Sequence, residues 1–219
     1  MKEGARSFCV GKQKNHHKFE QDEINDVMLE FARAGFKVAR LKGGDPYIFG
    51  RGAEEAEFLI SNDIEVEVIP GISSAFAAPL LGGIPPTHRE CSSGVTVVAA
   101  YNKNGISISK WIGFLKLENH TTIVLMGLTA AEEILRKGLK CGVAKDLPAA
   151  VISNASRNNQ KVLISTFENI SELAKQADRP AVLVLGEAVN KHHKLFNKNF
   201  SIKIDESLLH KNYNEIPVK

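Results

Sequence analysis

The sequence predicts an α/β fold built from two domains. Short apolar runs typical of strands alternate with longer stretches in which apolar residues recur every three or four positions, the spacing of an amphipathic helix. This alternation is broken most strongly at residues 82–87, where two glycines and two prolines fall close together. We therefore expect an N-terminal α/β domain over residues 1–88, a C-terminal α/β domain over residues 89–190, and a basic polar tail over residues 191–219.

The N-terminal domain is predicted to contain two helices among short strands. The apolar residues within 21–34 recur at positions i, i+3, i+4 and i+7, which indicates a helix, and Gly35 supplies its C-terminal stop. A second helix is expected over residues 53–62. The predicted strands are residues 7–10, 37–41 and 66–69.

The C-terminal domain is predicted to contain five strands and two helices. Because strands alternate with helices, we expect the strands to pair largely in parallel. The predicted strands are residues 95–100, 122–126, 149–153, 161–165 and 181–185, and the predicted helices are residues 130–139 and 170–176.

The composition is typical of a globular chain: 219 residues, 43% hydrophobic and 24% charged. Without a run of 18 apolar residues or an apolar stretch after Met1, we expect neither a membrane-spanning helix nor a secretory signal. The formal charge of +3 belongs to the tail, since residues 191–219 hold six lysines and three acids and leave 22 basic and 22 acidic groups elsewhere. A neutral body argues against nucleic-acid binding.

The residues typical of metal, nucleotide and hydrolase sites are missing from the sequence. The three cysteines form no Cys-x-x-Cys pair, and the two His-His pairs lack a third ligand at metal spacing, so we expect no metal site. Neither a Rossmann glycine motif nor a P-loop is present, and Ser73 and Ser74 lack the surroundings of a nucleophilic serine.

Two loops at predicted strand ends are candidates for ligand binding, because ligands of α/β sheets collect beyond the carboxyl ends of strands. One contains Gly43, Gly44 and Asp45, and the other is the Gly71-Ile72-Ser73-Ser74 run. Glycines admit a ligand to the backbone, and a carboxylate holds an ammonium or a hydroxyl. The alternative interpretation is ordinary turn chemistry and a helix N-cap.

Three basic residues are candidates for binding an acidic ligand. Arg51 lies between two glycines, and His88 and Arg89 follow the break at residues 82–87. Arginine binds carboxylates in a bidentate fashion. A solvated surface pair or an ion pair between domains is the alternative.

The residues of 40–55 closely resemble the signature of the tetrapyrrole methylases, in particular of members that act on uroporphyrinogen III. Further segments agree with that family in order and spacing, so that the resemblance covers about residues 7–195. These segments are residues 10–12, 68–75, 83–89, 124–128 and 180–187.

The resemblance implies a two-domain, cytoplasmic enzyme, usually a homodimer, that binds S-adenosylmethionine between its domains. It would methylate two pyrrole carbons of uroporphyrinogen III to give precorrin-2, for sirohaem or cobalamin synthesis. Lys12 matches a proton donor, and Arg51, His88 and Arg89 are expected to bind substrate carboxylates. The positions that match the cofactor site are Gly43, Gly44, Asp45, Ile48, Ser73, Ser74, Met126 and Ala155.

The sequence also departs from the family. Members normally begin with a strand, a Gly-Pro-Gly-Asp-Pro loop and a later aspartate assigned as proton acceptor, whereas here Met1 stands about ten residues before Lys12. We therefore expect an incomplete N-terminal domain with unpaired backbone edges. The alternatives to uroporphyrinogen methylation are an inactive or fragmentary homologue that binds cofactor or dimerises, and a sister enzyme that methylates a later precorrin.

Overall fold

The computed structural model describes residues 4–10, 19–102, 105–106 and 108–192. The chain divides into two compact units, Met1–Ser73 and Ser74–Lys219, whereas the sequence pattern put the change of domain near residue 88. The difference is due to a helix over Ser74–Leu81 that the pattern did not predict. Its buried residues Ala75 and Ala78 pack in the core of the second unit, so the break at residues 82–87 follows that helix instead of starting the unit.

The first unit contains two helices close to the predicted ones. Helix α1 is Gln21–Arg33 and helix α2 is Gly52–Ile60. A capping box begins α1, in which the backbone N–H of Glu20 donates to the carboxylate of Glu23 at 2.6 Å. The buried side chains of Ile24 and Met28 lie one turn apart on α1, as the periodicity predicts.

The three strands predicted in this unit are wrong. Residues 7–10, 37–41 and 66–69 form neither helix nor strand, and the described part of the unit contains no strand. Apolar runs of this length favour a strand, but a strand exists only where a neighbouring backbone pairs with it. Among the described residues, no backbone–backbone hydrogen bond involves residues 37–42 or 65–70.

The second unit is built on a five-stranded sheet with the order β1-β4-β7-β5-β6. Helix α3 is the Ser74–Leu81 segment, α4 is Ala131–Lys140 and α5 is Ile170–Gln176. The strands are β1 Gly94–Ala99, β2 Tyr101–Asn102, β3 Gly105–Ile106, β4 His120–Leu125, β5 Pro148–Ser153, β6 Lys161–Thr166 and β7 Ala181–Leu185, of which β2 and β3 form a separate two-stranded pair.

The expectation of largely parallel pairing is wrong for this sheet. Only β1 and β4 pair in parallel, and the pairs β4–β7, β7–β5 and β5–β6 are antiparallel. The connection from β5 to β6 covers only residues 154–160, too short for a crossover helix, so these two strands form a hairpin.

Both faces of the five-stranded sheet are covered at its centre, which explains why every residue of the central strand β7 is apolar. Along β7, Leu183 and Leu185 pack in the cluster that contains residues of α4 and α5, whereas Val182 and Val184 pack in the cluster that contains α3. Successive side chains of a strand point to opposite faces. The loops at the ends of the strands are therefore anchored to a sheet that has a buried core on each face.

Candidate functional site

The most organised loop of the first unit is centred on Asp45. Its Oδ1 accepts hydrogen bonds from the backbone N–H groups of Tyr47 at 2.9 Å and Ile48 at 3.1 Å. Its Oδ2 accepts from the N–H of Gly71 at 3.1 Å. One carboxylate therefore ties the loop after residue 42 to the loop after residue 70, and we call this arrangement the Asp45 joint.

The same hydrogen bonds set the charge of the joint. The N–H of Gly71 and then that of Tyr47 lower the pKa of the Asp45 carboxyl most; burial raises the pKa by less than either of them, and the N–H of Ile48 lowers it by a still smaller amount. Asp45 is therefore an anion at neutral pH. A carboxylate has about four acceptor positions, so three backbone donors leave room for one more partner.

Glycines allow the two loops to touch. A Cβ on Gly71 would lie 2.4 Å from the carbonyl oxygen of Gly44, closer than any side chain tolerates. Gly44 itself has φ +86°, the left-handed region that favours glycine. An added Cβ on Gly43 would meet no atom within 4 Å, so the backbone at Gly43 is open to a ligand.

The Gly-Arg-Gly run shapes the other end of this loop. Added Cβ atoms on Gly50 and Gly52 would lie 2.7 Å and 2.5 Å from the carbonyl oxygen of Pro46, which accepts a hydrogen bond from the N–H of Gly52 at 3.0 Å. These glycines therefore fold the chain back onto Pro46 at the start of α2. Arg51 between them has φ 59° and pairs with the Glu54 carboxylate at 2.6 Å.

A buried ion cluster stands beside the Asp45 joint. The side chain of Glu55, 5% exposed, lies 2.6 Å from Nζ of Lys42 and 3.3 Å from Nε of Arg40, and Nε2 of Gln21 donates to it at 3.0 Å. Burial raises the pKa of the Glu55 carboxyl, but the hydrogen bonds from Lys42 and Gln21 and the charge of Arg40 outweigh it, so the pKa lies below its usual value. Lys42 directly precedes Gly43, so the cluster fixes the start of the loop.

The other predicted cofactor positions of the first unit lie in or beside the two loops that the Asp45 joint connects. Ile48, in the Asp45 loop, is 41% exposed, and Ile72, beside Gly71, is 81% exposed. Ser73 is buried and directly precedes α3, at the N-cap position, and Ser74 is the exposed first residue of that helix. The structure therefore brings Gly44, Asp45 and Ser73 together, since Ser73 Cα lies 4.0 Å from the Cβ position of Gly44.

In the second unit, Met126 and Ala155 lie at one edge of the sheet. Met126 follows the end of β4, and Ala155 stands two residues beyond β5. Both strands are antiparallel to β7, which lies between them, so their carboxyl ends meet at the same edge. Two strand spacings, about 10 Å, separate the strands β4 and β5 that carry them. Met126 is 50% exposed and has φ 55°, a conformation that is uncommon for non-glycine residues.

His88 and Arg89 lie in the turn after the break at residues 82–87. His88 is half-buried and its Nδ1 accepts a hydrogen bond from the N–H of Glu90 at 3.2 Å, whereas Arg89 is exposed. Lys12 and residues 193–219 of the predicted tail lie outside the described residues. Within the described part, no three His, Cys, Asp or Glu side chains are grouped to hold a metal ion, and no helix has the length and apolar character needed to cross a membrane.

Sequence reasoning placed Gly71 in a candidate ligand loop but missed its contact with Gly44 and Asp45, and it missed Glu55. Gly71 was visible as part of a Pro-Gly pair after an apolar run, a turn signal that also marks close backbone approach. Glu55 carried no such signal, because its partners Gln21, Arg40 and Lys42 are distant in sequence.

Comparison with known proteins identifies the family. The Tetrapyrrole (Corrin/Porphyrin) Methylases match residues 2–171. An S-adenosyl-L-methionine-dependent uroporphyrinogen III methyltransferase of Methanosarcina barkeri is 41% identical over 199 residues, covering 88% of this chain and 76% of that protein. A uroporphyrinogen-III C-methyltransferase of Methanocaldococcus jannaschii is 42% identical over 192 residues, covering 86% and 79%.

A solved structure agrees with these relatives. The uroporphyrin-III C-methyl transferase of Thermus thermophilus, complexed with S-adenyl homocysteine, superposes with a TM-score of 0.69 at 34% identity, covering 78% of this chain and 74% of that one. Sequence, fold and the glycine-aspartate loop thus lead to one conclusion: the chain belongs to the tetrapyrrole methylase family.

Proposed function

We propose that this chain is an S-adenosylmethionine-dependent methyltransferase that converts uroporphyrinogen III to precorrin-2. The observation that carries the proposal is the Asp45 joint, an ionised carboxylate with one acceptor position left, set in loops with open backbone at Gly43. It is supported by relatives of 41% and 42% identity that are named as uroporphyrinogen III methyltransferases and by a related structure that is complexed with S-adenyl homocysteine.

The residues of the Asp45 joint fit the chemical groups of S-adenosylmethionine. The last acceptor position of Asp45 suits its ammonium or a ribose hydroxyl. The exposed side chains of Ile48 and Ile72 offer apolar surface for the uncharged parts of the ligand. We assign the remaining cofactor contacts to Gly43, Gly44, Ser73, Ser74, Met126 and Ala155.

When bound, S-adenosylmethionine supplies a methyl group already activated by a positively charged sulfur. The protein therefore has to hold the methyl group in line with the pyrrole carbon and to exclude water. A pyrrole carbon that has gained a methyl group must lose a proton, and we assign Lys12 to the movement of protons during the reaction.

Arg51, His88 and Arg89 are proposed to bind carboxylates of the substrate. Arg51 is half-exposed and already pairs with Glu54, so a substrate carboxylate would exchange one anion for another at little cost. We also propose that the protein is a cytoplasmic homodimer, as the family resemblance implies. Light scattering of the purified chain measures the oligomeric state.

Calorimetric titration with S-adenosylhomocysteine tests the cofactor site. We expect micromolar binding by the 219-residue chain and at least tenfold weaker binding by Asp45→Asn, which replaces one carboxylate oxygen by an N–H₂ donor that faces a backbone N–H in either orientation of the amide. Asp63→Asn is the matched control: this exposed aspartate follows α2 at φ 61°, a conformation that asparagine adopts readily. Equal affinity of Asp45→Asn and the unmodified chain would contradict the assigned role of Asp45.

Turnover distinguishes the candidate reactions. Methyl transfer to uroporphyrinogen III, with Arg51→Gln raising KM and leaving kcat within a few fold, supports the proposal. Methylation of precorrin-2 alone identifies a sister enzyme, and cofactor binding without any turnover identifies an inactive homologue.

A further inference from the structure

The side chain of Gln160 joins two segments of the second unit that are distant in sequence. Its Oε1 accepts a hydrogen bond from the backbone N–H of Ser156 at 2.9 Å. Its Nε2 donates to the carbonyl oxygen of Leu81 at 3.0 Å, across 79 residues of sequence. One contact needs an acceptor and the other needs a donor, so only one orientation of the amide satisfies both. We call this arrangement the Gln160 bridge.

One end of the Gln160 bridge holds the loop that carries Ala155. Asn154 has φ 51° and Ser156 has φ 69°, so both neighbours of Ala155 adopt the left-handed conformation that is uncommon for residues other than glycine. Such a backbone persists only where surrounding contacts hold it. The N–H of Asn154 donates to the carbonyl oxygen of Pro180 at 2.8 Å. Gln160 holds Ser156 in the same way, so each of the two residues is fixed by a hydrogen bond of its own.

The other end of the Gln160 bridge holds helix α3. Leu81 is the last residue of this helix, where carbonyl groups lack a partner within the helix, and Gln160 supplies a donor. The helix has eight residues, so it is about 12 Å long, and its buried residues Ala75 and Ala78 hold it on the sheet. The position of Leu81 therefore determines the position of Ser74 at the other end.

Both of these segments carry residues that the proposed function assigns to the cofactor. Ala155 lies in the loop and Ser74 is the first residue of α3, and both belong to the second unit. A ligand that contacts both residues binds more tightly when their separation is already fixed, because ordering a loop on binding costs affinity. The Gln160 bridge fixes that separation through a single side chain.

The hairpin itself does not need the bridge. The ladder between β5 and β6 extends to the pair of Ser153 with Lys161, and the buried Oγ of Ser153 donates to the carbonyl oxygen of Asp178 at 2.7 Å. These contacts do not involve the side chain of Gln160. Replacing Gln160 should therefore release the loop without unfolding the sheet.

We propose that Gln160 is a positioning residue for S-adenosylmethionine: its side chain fixes the loop of Ala155 relative to the helix that begins at Ser74, so that this part of the cofactor site is formed before the ligand binds. This inference rests on the proposed function, in which Ala155 and Ser74 contact the cofactor. Gln160 acts through Ser156 and Leu81, so it governs the affinity for the cofactor and leaves methyl transfer itself unchanged.

Two substitutions break the bridge in different ways. Gln160→Glu keeps an acceptor for the N–H of Ser156 but places a carboxylate oxygen against the carbonyl oxygen of Leu81, and Gln160→Leu keeps the approximate size and removes both hydrogen bonds. Gln176→Glu is the matched control, since it makes the same chemical change at an exposed position at the end of α5.

Calorimetric titration of the full 219-residue chain with S-adenosylhomocysteine gives the Kd, and the number of sites per chain gives the folded fraction. We expect both Gln160 variants to bind at least tenfold more weakly with an unchanged number of sites, and Gln176→Glu to bind as the unmodified chain does. In turnover, the KM for S-adenosylmethionine should rise at least tenfold in the Gln160 variants. Their kcat and their KM for uroporphyrinogen III should stay within threefold of the unmodified values.

Several outcomes would overturn the proposal. Folded Gln160 variants that bind S-adenosylhomocysteine with normal affinity would do so and would leave the proposed function standing. Fewer sites at an unchanged Kd would show that Gln160 only stabilises the fold, and weaker binding by Gln160→Glu alone would trace the effect to the added charge. A fall in kcat at an unchanged KM for S-adenosylmethionine would place Gln160 in a different step. If the unmodified chain binds no S-adenosylhomocysteine, the proposed function fails, and this inference fails with it.

Discussion

Replacing Glu55 by glutamine should selectively destabilise the first unit. The carboxylate of Glu55 is 5% exposed and faces Nζ of Lys42 at 2.6 Å, with Nε of Arg40 at 3.3 Å. Glutamine keeps the shape but removes the charge, so two cations lose their counter-ion and an amide N–H₂ turns toward one of them. Removing one member of a buried ion pair costs about 3 kcal/mol or more, and Arg40, 29% exposed, recovers part of that by turning to water. We expect a loss of about 2–3 kcal/mol.

Hydrogen exchange measured by mass spectrometry checks this value locally. A loss of that size corresponds to about 30- to 150-fold faster exchange through local opening, and it should appear in α1 and α2. The amides of α4 and α5, in the second unit, should exchange at unchanged rates and provide an internal control.

Glu54 offers a matched control on the same helix. Its carboxylate pairs with Arg51 at 2.6 Å, but both side chains are at least half-exposed, and an exposed pair contributes about 0.2–1 kcal/mol. Glu54→Gln should therefore change exchange in α2 by fivefold at most. If Glu55→Gln and Glu54→Gln had equal effects, the buried cluster would not stabilise the unit and the reasoning would be refuted.

Three further predictions rest on single contacts. The pKa of Glu55 is lowered in the folded chain, so its carboxylate stabilises the fold at pH values above the unfolded pKa of about 4.5, and this effect is lost as the pH falls through the folded pKa. Hydrogen exchange in α1 and α2, corrected for intrinsic rates, should therefore accelerate more between pH 6 and pH 3 in the unmodified chain than in Glu55→Gln. Gly71→Ala would bring a Cβ within 2.4 Å of the Gly44 oxygen, and the shift that this forces should weaken the hydrogen bonds that the N–H groups of residues 47 and 48 donate to Asp45. Hydrogen exchange at these two amides should then be faster, and exchange as slow as in the unmodified chain would contradict the close contact. Gly138→Ala would bring a Cβ to 2.3 Å from the ring of Phe167, whereas a Cβ at Gly113 would meet no atom within 4 Å. Thermal denaturation should show that the free energy of unfolding falls by about 1–3 kcal/mol for Gly138→Ala and by less than about 1 kcal/mol for Gly113→Ala. Equal melting temperatures of the two variants would refute the predicted overpacking.

The sequence pattern predicted most elements of the second unit, because each strand of its sheet has a neighbouring strand with which to pair. Strand β7 lies at residues 181–185 and helix α5 at residues 170–176, as predicted. Helix α3 was missed because it is short, uniformly apolar and contains Pro79, so it lacks the periodicity that marks an amphipathic helix. The direction of strand pairing was missed as well, because pairing is set by which strands become neighbours and not by local spacing.

In the first unit and at the candidate site, local sequence patterns predicted only part of the structure. Residues 37–41 have the composition of a strand, but pairing depends on a partner that no local pattern can supply. The residue types of Gly44 and Asp45 pointed to a ligand loop, whereas the structure shows that the Asp45 carboxylate first binds backbone N–H groups, including that of Gly71. The contact that joins these loops crosses 26 residues of sequence, and periodicity says nothing about such distances.

The geometry of the first unit links the Asp45 joint to the two segments that precede its loops. Residues 36–42 lead directly into Gly43, and residues 64–70 lead into Gly71. The 3.1 Å hydrogen bond from the N–H of Gly71 to Asp45 therefore joins the ends of these two segments, which make no backbone–backbone hydrogen bonds of their own among the described residues.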